Sequence, residues 1–507
     1  MAKKLTVRLH DKDNVVVVRT ATPEGTFIPE ENVTTVMEIP MGHKVAVTDI
    51  KQGDPIVKYG FVIGTASQDI KAGEQVHNHN LHWDNAEVDY RMCEDYVPTE
   101  MVPEDQRPTF NGYIRPDGRV GTRNYIGVFT TVNCCSSIAK SICDYFTEDV
   151  LKDYPDVDGV IPYNCPLGCG MESYGKPMDL LRQTIGNYIK HQNTGAALLI
   201  GLGCERNNID ALIASEGLKE GERFRRMVIQ EEGGSRKAIA KGIAIVKEFL
   251  ETCNQDKRQP ASIGNLTVAL QCGGSDAFSG ISANPALGNA MTKLIQNGGS
   301  CILAETTEVH GGDHTLTCRA RTPEVGQRLV DDLQWWVDYS QGAATQMNGV
   351  IVPGNQKGGI TSITEKALGN IKKGGDTAMV DVIEYACPVV HPGFNVMNTP
   401  AFDSISMTGE IAGGSNLCVF TTGRGSCIGT YPAPTTKLCS NTPAYENMID
   451  DIDINCGSII DGDKTLDEVG DEILAFLIEV ANGRKPKSEI YGYGADEFNP
   501  WNYGKIC

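Results

Sequence analysis

The stretch that decides the fold reads LTVALQCGGSDAFSGISANP, from Leu266 to Pro285. Its first five residues are apolar and have the length and composition of a buried strand. Two glycines follow, which allow a tight turn and the close approach of a ligand to the backbone. Cys272, Ser275 and Asp276 then lie at the carboxyl end of the predicted strand, where open α/β sheets bind ligands. The stretch alone is equally compatible with a ligand site and with a turn that only packs well.

The same order, an apolar run followed by Cys, Glu, Arg or Asn, recurs along the chain. Six further runs show it: 125–131 before Cys134, 157–163 before Cys169, 196–202 before Cys204, 301–303 before Glu305 and Glu308, 379–383 before Glu384, and 417–420 before Arg424. These strand ends predict one pocket assembled from all of them. Helical spacing of apolar residues alternates with the runs, at 177–191, 237–252, 324–339 and 466–481. The alternation predicts α/β layers from about residue 120 onward.

The amino-terminal part of the chain has a different pattern. Short strand-like runs are separated by turns, and no helical periodicity is present, which predicts a compact β domain over residues 1–90. Residues 91–110 are acidic and contain three prolines, so we interpret them as a linker. A polar stretch at 254–265 predicts a second boundary. The predicted architecture is therefore α/β and multidomain, with a middle α/β domain at 111–260 and a C-terminal α/β domain at 261–507.

Composition limits the classes of function. The 507 residues suffice for two to four domains, and 22% charged with 40% hydrophobic residues is ordinary for a globular protein. A net charge of -20 argues against nucleic-acid and anionic-membrane partners and favours a small-molecule ligand. The start lacks the apolar core of a secretory signal, and no run is long enough to span a membrane, so we expect a cytoplasmic protein. The 17 cysteines are then free thiols.

Two sets of residues are candidate metal ligands. His77 and His79 stand at alternate positions of a predicted strand, which would direct both imidazoles to one face, as a shared metal requires. An exposed polar strand end is the alternative interpretation. Cys134, Cys169 and Cys204 follow three different strands, and thiolates on three loops can hold iron or an iron–sulfur cluster with one open iron. Buried thiols in tight turns are the alternative there.

Two Gly-rich loops carry candidate anion-binding arginines. Arg123 and Asn124 close the loop at 117–124, and Arg424 stands between two glycines. A guanidinium group binds a carboxylate through paired hydrogen bonds, whereas surface arginines on turns are the alternative interpretation. The loop at 353–361 lacks the spacing of a phosphate-binding P-loop, and no strand is followed by a dinucleotide-binding motif.

Eight stretches are informative when they are taken together. They are GHKVAVTDI (42–50), IVKYGFVIG (56–64), GEQVHNHN (73–80), GRVGTRN (118–124), LLIGLGCE (198–205), LQCGGSDAFSGISANP (270–285), PGNQKGGI (353–360) and VFTTGRG (419–425). In this order they resemble the altronate dehydratase and galactarate dehydratase family of sugar-acid hydro-lyases, which also includes sulfolactate sulfo-lyase. The resemblance spans nearly the whole chain.

The resemblance implies a β-clip module of the SAF (antifreeze-like) type at residues 1–90, followed by two α/β domains. It also implies a requirement for Fe²⁺ or another divalent metal such as Mn²⁺, and conversion of an aldonate or aldarate to its 2-keto-3-deoxy product. The V-H-x-H-N form at 76–80 favours D-altronate, which gives 2-dehydro-3-deoxy-D-gluconate. We also expect a homo-oligomer. Galactarate dehydratase, sulfolactate sulfo-lyase and a sugar-acid binding protein without catalytic activity are the alternatives.

Site residues can be assigned on the chemistry that this reaction needs. A divalent ion that chelates the substrate carboxylate and a hydroxyl stabilises the enediolate formed when the C2 proton leaves. A base takes that proton, and an acid protonates the departing C3 hydroxyl. The assignments are His77 and His79 as metal ligands, with Cys134, Cys169 and Cys204 as the alternative set; His43, Lys44 and Lys58 as catalytic residues; and Arg123, Asn124, Ser275, Asp276 and Arg424 as substrate-binding residues.

Overall fold

The computed structural model describes residues 4–83, 89–341 and 351–504. The ends of the predicted first and last domains, at 84–90 and 505–507, therefore fall partly or wholly outside these ranges. Within them, no helix has both the length and the apolar composition that a membrane crossing requires.

The described residues form 23 strands and 15 α-helices. The strands are β1 Thr6–Val7, β2 Val15–Val18, β3 Phe27–Ile28, β4 Val33–Thr34, β5 Lys44–Ala46, β6 Pro55–Lys58, β7 Phe61–Ala66, β8 Gln75–Val76, β9 Leu81–His82, β10 Thr109–Ile114, β11 Val120–Gly121, β12 Tyr125–Thr130, β13 Gly159–Tyr163, β14 Thr194–Gly201, β15 Phe224–Val228, β16 Gln259–Ser262, β17 Thr267–Cys272, β18 Ser300–Leu303, β19 Met379–Ile383, β20 Phe394–Met397, β21 Leu417–Thr422, β22 Thr435–Cys439 and β23 Ile454–Asn455. The helices are α1 Ser136–Cys143, α2 Glu148–Leu151, α3 Lys176–Ile189, α4 Ile209–Ser215, α5 Ser235–Cys253, α6 Ala283–Gln296, α7 His314–Thr317, α8 Pro323–Tyr339, α9 Pro353–Lys357, α10 Ile363–Asn370, α11 Asp403–Ala412, α12 Thr442–Asn447, α13 Gly457–Asp461, α14 Leu466–Ala481 and α15 Lys487–Ile490.

The N-terminal domain contains only strands and turns within residues 4–83. Its largest sheet has the order β1-β2-β5-β8 and is antiparallel, and β6, β7 and β9 form a second sheet. Strand β2, VVVV, is buried on both faces because it lies between the two halves of this small core. The prediction of a β-rich start is confirmed.

The middle domain is built on a parallel sheet of order β13-β12-β14-β15. Strands β12 and β14 are buried along their whole length, as parallel strands covered on both faces require. Helices α1 and α5 pack on one face, and α3 and α4 pack on the other. A small antiparallel sheet, β11-β10-β16, borders this domain and includes part of the stretch at 254–265 that was predicted as a boundary.

The C-terminal domain is built on a seven-stranded sheet of order β19-β20-β18-β17-β21-β22-β23. All its strand pairs are parallel. Strands β18, β20 and β19 lie on one side of β17, and β21, β22 and β23 lie on the other. The chain crosses from the first side to the second after β20, so the strand order reverses between β17 and β21. Such a reversal leaves a crevice at the carboxyl ends of the two strands. The turns after Cys272 and Thr422 meet there.

The prediction of one pocket formed by all seven strand ends is wrong. The strands before Cys134, Cys169 and Cys204 belong to the middle sheet, whereas the other four belong to the C-terminal sheet. The chain therefore has two separate carboxyl edges with polar residues.

The N-terminal domain packs on the C-terminal domain beside the crevice at the carboxyl ends of β17 and β21. Gly42 and Gly359 allow the contact, because a Cβ atom on Gly359 would lie 2.5 Å from the carbonyl oxygen of Gly42. Gly359 also has a φ of +95°, which side-chain-bearing residues rarely adopt. Both glycines therefore serve the close approach of two backbones at the domain junction.

Candidate active site

Helix α10 fixes a carboxylate at the domain junction. Its N-cap, Ser362, accepts a hydrogen bond from the backbone N–H of Glu365 at 3.2 Å. Thr361 then donates to Glu365 Oε2 through its backbone N–H at 2.9 Å and its hydroxyl at 2.8 Å. These bonds hold the Glu365 side chain toward the N-terminal domain.

Two lysines of the N-terminal domain bind that carboxylate. Lys44 Nζ lies 2.9 Å from Glu365 Oε2, and Lys58 Nζ lies 2.7 Å from Oε1. Lys44 is fully buried, and Lys58 and Glu365 are nearly so. Lys44 also donates to the carbonyl oxygen of Gly359 at 2.7 Å. We call Lys44, Lys58 and Glu365 the triad; with both lysines protonated it carries a net charge of about +1 in a dry environment.

The pKa values within the triad reflect this environment. Burial would raise the pKa of Glu365, but the two adjacent ammonium groups outweigh it and hold that pKa far below its usual range. Burial lowers the pKa of Lys44 to about 8, against the opposing charge of Glu365. At Lys58, Glu365 and the adjacent Tyr59 outweigh burial and raise the pKa. Glu365 therefore stays ionised, and Lys44 is the group whose charge is least firmly held.

Two imidazoles lie above the triad. The ring centroids of His43 and His77 are 4.8 Å apart. His43 Nε2 lies 3.1 Å from the carbonyl oxygen of Lys357, and His43 Nδ1 lies 2.7 Å from Gln75 Nε2. A carbonyl oxygen only accepts, so His43 carries its proton on Nε2 and accepts from the Gln75 amide on Nδ1.

Both imidazoles are neutral at neutral pH. Burial, with the nearby charge of Lys44, lowers the pKa of His77 to about 4. Burial and Lys44 also lower the pKa of His43. His77 Nδ1 is buried and has no hydrogen-bond partner among the described residues. His77 is therefore a neutral imidazole with an unused ring nitrogen.

The two histidines predicted as metal ligands do not lie on a strand, and that part of the prediction is wrong. Strand β8 ends at Val76, and residues 77–80 form a turn in which Asn80 Oδ1 accepts from the backbone N–H of His77 at 2.8 Å. His77 is half-buried beside His43, whereas His79 is exposed. The turn arises because Asn80 binds its own backbone in preference to continuing the strand.

An open cleft leads to these imidazoles from solvent. It is lined by Pro40, His43, His77, Pro353, Gln356 and Lys357, and we call it the outer cleft. Arg424 lies close to the same loop, since a Cβ atom on Gly354 would be 3.8 Å from Arg424 Cδ. The side chains of Lys357 and Arg424 are exposed, and neither forms an ion pair within the described ranges. The outer cleft thus has two cations available at its mouth.

A second, narrower cavity lies behind the triad, and we call it the inner cavity. It is lined by Lys58, Tyr59, Cys272, Ser275, Asp276, Ala277, Ser279, Gly280, Asn284, Ile360, Glu365, Lys366, Gly369 and Asn370. It therefore lies between helix α10 and the turn that follows β17. This is the crevice where the strand order of the C-terminal sheet reverses.

Ser275 and Asp276 lie where the sequence predicted, and their bonds order the turn after β17. Asp276 accepts hydrogen bonds from Ser279, from the Ser440 hydroxyl at 2.7 Å and from the Asn441 amide at 3.1 Å. Burial raises the pKa of Asp276, and these bonds partly offset the rise. Ser275 Oγ lies 2.6 Å from Cys272 Sγ. Both residues line the inner cavity.

Arg123 and Asn124 lie elsewhere. They precede β12 and so stand at the amino edge of the middle sheet. All five N–H donors of Arg123 are used: two bind Glu489, and three bind the backbone carbonyls of Thr122, Val480 and Arg484. Asn124 donates to two backbone carbonyls. The sequence pattern placed them on an exposed Gly-rich loop, but the structure buries them in a contact between domains.

The candidate metal ligands meet the needs of a divalent cation only in part. The neutral imidazole of His77, with its unused nitrogen, has the right donor chemistry, and His79 lies two residues away. Within residues 4–83, 89–341 and 351–504, however, no three His, Cys, Asp or Glu side chains lie close enough to share an ion. Substrate or water would thus have to supply the other ligands. Cys134, Cys169 and Cys204 are exposed at the carboxyl edge of the middle sheet, and the cluster hypothesis for them stays a prediction.

Comparison with known proteins agrees with this three-domain layout. Three family models match consecutive parts of the chain: the altronate/galactarate dehydratase SAF domain at residues 4–84, the second domain of D-galactarate dehydratase/altronate hydrolase at 112–254, and the C-terminal domain of D-galactarate/altronate dehydratase at 263–506. The chain belongs to the D-galactarate/altronate dehydratase family. The outer cleft and the inner cavity thus lie between the SAF domain and the family's C-terminal domain.

Curated relatives match over nearly their whole length. An altronate dehydratase of Bacillus subtilis (strain 168) is 33% identical over 94% of this chain and 95% of its own. A galactarate dehydratase (L-threo-forming) of Escherichia coli (strain K12) is 34% identical over 94% and 93%. The beta subunit of a (2R)-sulfolactate sulfo-lyase from Chromohalobacter salexigens is 30% identical over 76% and 95%. These similar values establish the family and do not separate the substrates.

Proposed function

We propose that this protein is a hydro-lyase that dehydrates a sugar acid at the junction of its SAF and C-terminal domains. The substrate we propose is D-altronate, and the products are 2-dehydro-3-deoxy-D-gluconate and water. One observation supports this most strongly: two neutral imidazoles lie above a buried triad of net positive charge, in a cleft that opens to solvent. A site of this kind can receive an anion and stabilise further negative charge.

The substrate carboxylate binds first at the outer cleft. Lys357 and Arg424 are exposed cations at its mouth, and a carboxylate is their natural partner. Because the whole chain is strongly acidic, with a net charge of -20, this local cationic group is needed to bind an anionic substrate.

The triad acts through its charge. Loss of the C2 proton converts the substrate carboxylate into an enediolate, which carries one more negative charge. Lys44 uses its three donors on Gly359 and Glu365, so it has none left for substrate. Its fixed positive charge, and that of Lys58, instead stabilise the enediolate electrostatically because the surroundings are dry.

His77 is the first-choice ligand for the carboxylate end of the substrate or for a divalent ion, with His79 beside it. A bound divalent ion would polarise the carboxylate and a hydroxyl of the substrate. His43 has both ring nitrogens engaged, so in this proposal it orients the loop of Lys357 and the ring of His77.

One feature favours D-altronate over an aldarate, the V-H-x-H-N form at 76–80. A cytoplasmic location and a homo-oligomeric state stay predictions.

The test is turnover by anaerobically purified protein supplied with Fe²⁺. D-Altronate, D-galactarate and sulfolactate are offered separately, and the 2-keto-3-deoxy product or sulfite is measured with and without a chelator. We expect the keto product from D-altronate and its loss on chelation. Conversion of only D-galactarate or sulfolactate would replace the proposed substrate, and binding of D-altronate without turnover of any acid would favour a binding protein.

A further inference from the structure

A group of buried polar side chains beyond the inner cavity has atoms without partners. Glu305 Oε2, Glu308 Oε2, the Thr307 hydroxyl, the Lys373 ammonium and both amide atoms of Asn370 are buried and have no hydrogen bond to any described residue. We call these five residues the chamber. Unsatisfied buried polar groups are costly and uncommon, and Glu305, Glu308 and Lys373 are close enough for their charges to interact.

Glu305 has a backbone conformation that side-chain-bearing residues rarely adopt. Its φ is 64° and its ψ is 62°, which is the left-handed region. Thr399, just after β20, holds this conformation, because its hydroxyl accepts from the backbone N–H of Glu305 at 2.7 Å. Non-glycine residues in this region cluster at functional sites, where surrounding structure maintains the strain. The turn thus directs the Glu305 carboxyl into the chamber.

The two carboxyl groups of the chamber differ in their partners. Glu308 Oε1 forms an ion pair with Lys366 Nζ at 2.6 Å. Glu305 forms no ion pair with any residue that the structure describes. Burial, with the charges of Glu308 and Asp403, raises its pKa well above the usual range, and the charges of Lys373 and Lys366 only partly oppose the rise. Glu308, held in an ion pair, and Glu305, held without one, are three residues apart and in different surroundings, which suits them to opposite roles in proton transfer.

The chamber adjoins the inner cavity. Asn370 lines that cavity, and so does Lys366, the partner of Glu308. Lys366 and Glu365 are neighbours on α10, so one helix carries both the triad and the ion pair of Glu308. The triad and the chamber therefore border the same cavity.

We propose that Glu305 and Glu308 are the proton-transfer pair of the dehydration, with Glu308 as the base at C2 and Glu305 as the acid at the C3 hydroxyl. The assignment rests on the proposed function. It also gives Lys373, Asn370 and Thr307 a role, because their unused donors and acceptors match the hydroxyls of a sugar-acid chain.

The step balances within the site. Glu308 takes the C2 proton, and the electrons of the C2–H bond move into the carboxylate to give the enediolate. These electrons then form the C2–C3 double bond as the C3–O bond breaks. Glu305 gives its proton to the departing hydroxyl, which leaves as water, and the enol becomes the 2-keto-3-deoxy acid. Glu308 is then protonated and Glu305 ionised, and exchange with water restores both.

The experiment separates the two proton transfers in deuterium oxide. Wild type, Glu305→Gln and Glu308→Gln receive each acid, and both product and deuterium at C2 of recovered substrate are measured. We expect Glu305→Gln to keep C2 exchange and to lose about 10²- to 10⁴-fold in product formation. Glu308→Gln should lose both. Glu305→Asp, which keeps an acid, should recover part of the turnover.

Glu410→Gln is the matched control, because Glu410 is also a fully buried carboxyl, bonded to Leu270 and Gln271 on β17. It should keep wild-type kcat. Thermal melting checks that every variant is folded. Wild-type turnover by Glu305→Gln, or C2 exchange by Glu308→Gln, would overturn the assignment while the proposed function stands. A wild type that neither exchanges nor dehydrates any acid would overturn both.

Discussion

Two buried groups of charged side chains in this chain differ in one respect. Around Arg123, at the amino edge of the middle sheet, every N–H donor of the guanidinium has a protein acceptor. In the chamber of the C-terminal domain, Glu305, Lys373 and Asn370 keep buried polar atoms without partners. The guanidinium of Arg123 is fully paired and stabilises a contact between domains. The chamber leaves several atoms unpaired, and we propose that a ligand supplies their partners.

The largest effect expected from this comparison is on stability at Arg123. Arg123→Met should lower the free energy of unfolding by about 3–5 kcal/mol, because it leaves the Glu489 carboxylate buried without its partner. The kcat of the folded fraction should stay at the wild-type value. Urea unfolding measures the first quantity and steady-state kinetics the second. Arg119→Met, at an exposed pair in the same loop, is the control and should change stability by under about 1 kcal/mol. A large fall in kcat with unchanged stability would contradict the structural role.

Substitutions in the outer cleft should lower activity and leave stability nearly unchanged, which is the opposite of the result expected for Arg123→Met. His77→Ala combined with His79→Ala should lower kcat/KM by about 100-fold, roughly 2.7 kcal/mol, while the melting temperature stays near wild type. The reason is that these imidazoles bind the substrate or a metal ion in the proposed function and form few bonds within the fold. His10→Ala, an exposed histidine of the same domain, is the control. Full activity in the double variant would remove both histidines from the site.

Replacing Lys373 should change the free energy of unfolding in the opposite direction to replacing Arg123. Lys373→Met should raise the free energy of unfolding by roughly 1–3 kcal/mol, because a buried ammonium without a partner is replaced by an apolar chain of similar length. Turnover should fall at the same time. Chemical denaturation and kinetics on one preparation test both. A destabilised variant would mean that Lys373 has a protein partner, and the chamber would lose its main indication of a ligand.

A smaller effect on stability is expected at His191, whose two buried ring nitrogens both have hydrogen-bond partners. It is fully buried, and burial lowers its pKa to about 3, below the value of about 6.5 in the unfolded chain. The unfolded state thus binds one more proton between these pH values, so stability falls as pH falls through 6.5. From this group alone we expect a loss of about 1.4 kcal/mol between pH 7.5 and 5.5. Unfolding at both pH values should show this slope in wild type and not in His191→Gln. Equal slopes would contradict the prediction.

Much of the fold follows from the sequence, for reasons visible in particular elements. The run LTVALQC becomes β17, and Leu466–Ala481 forms α14 within its predicted bounds, because apolar period and length decide such elements. The sequence did not assign strands to sheets. The pattern after each strand looked the same, yet three of the ends belong to another sheet. Sheet membership depends on packing between distant segments, which local periodicity does not contain.

The site was predicted only on its N-terminal side. His43, Lys44, Lys58 and His77 do lie together, but their partner Glu365 was missed. Its signal, S-x-x-E at 362–365, is that of a helix N-terminus, so the glutamate is interpreted as part of a cap. Glu305 and Glu308 were candidates from the sequence, but nothing local distinguished them from solvated acids. Their burial, and the ion pair to Lys366, are properties of the folded chain alone.

The most direct test of the account is a crystal structure of the Glu305→Gln variant with D-altronate. We predict that the sugar-acid carboxylate lies beside the triad, with C2 within reach of Glu308. The hydroxyl chain should then lie in the chamber, within hydrogen-bond distance of Asn370 and Lys373. D-Altronate bound at the carboxyl edge of the middle sheet, beside Cys134, Cys169 and Cys204, would contradict the central claim that the reaction takes place between the SAF and C-terminal domains.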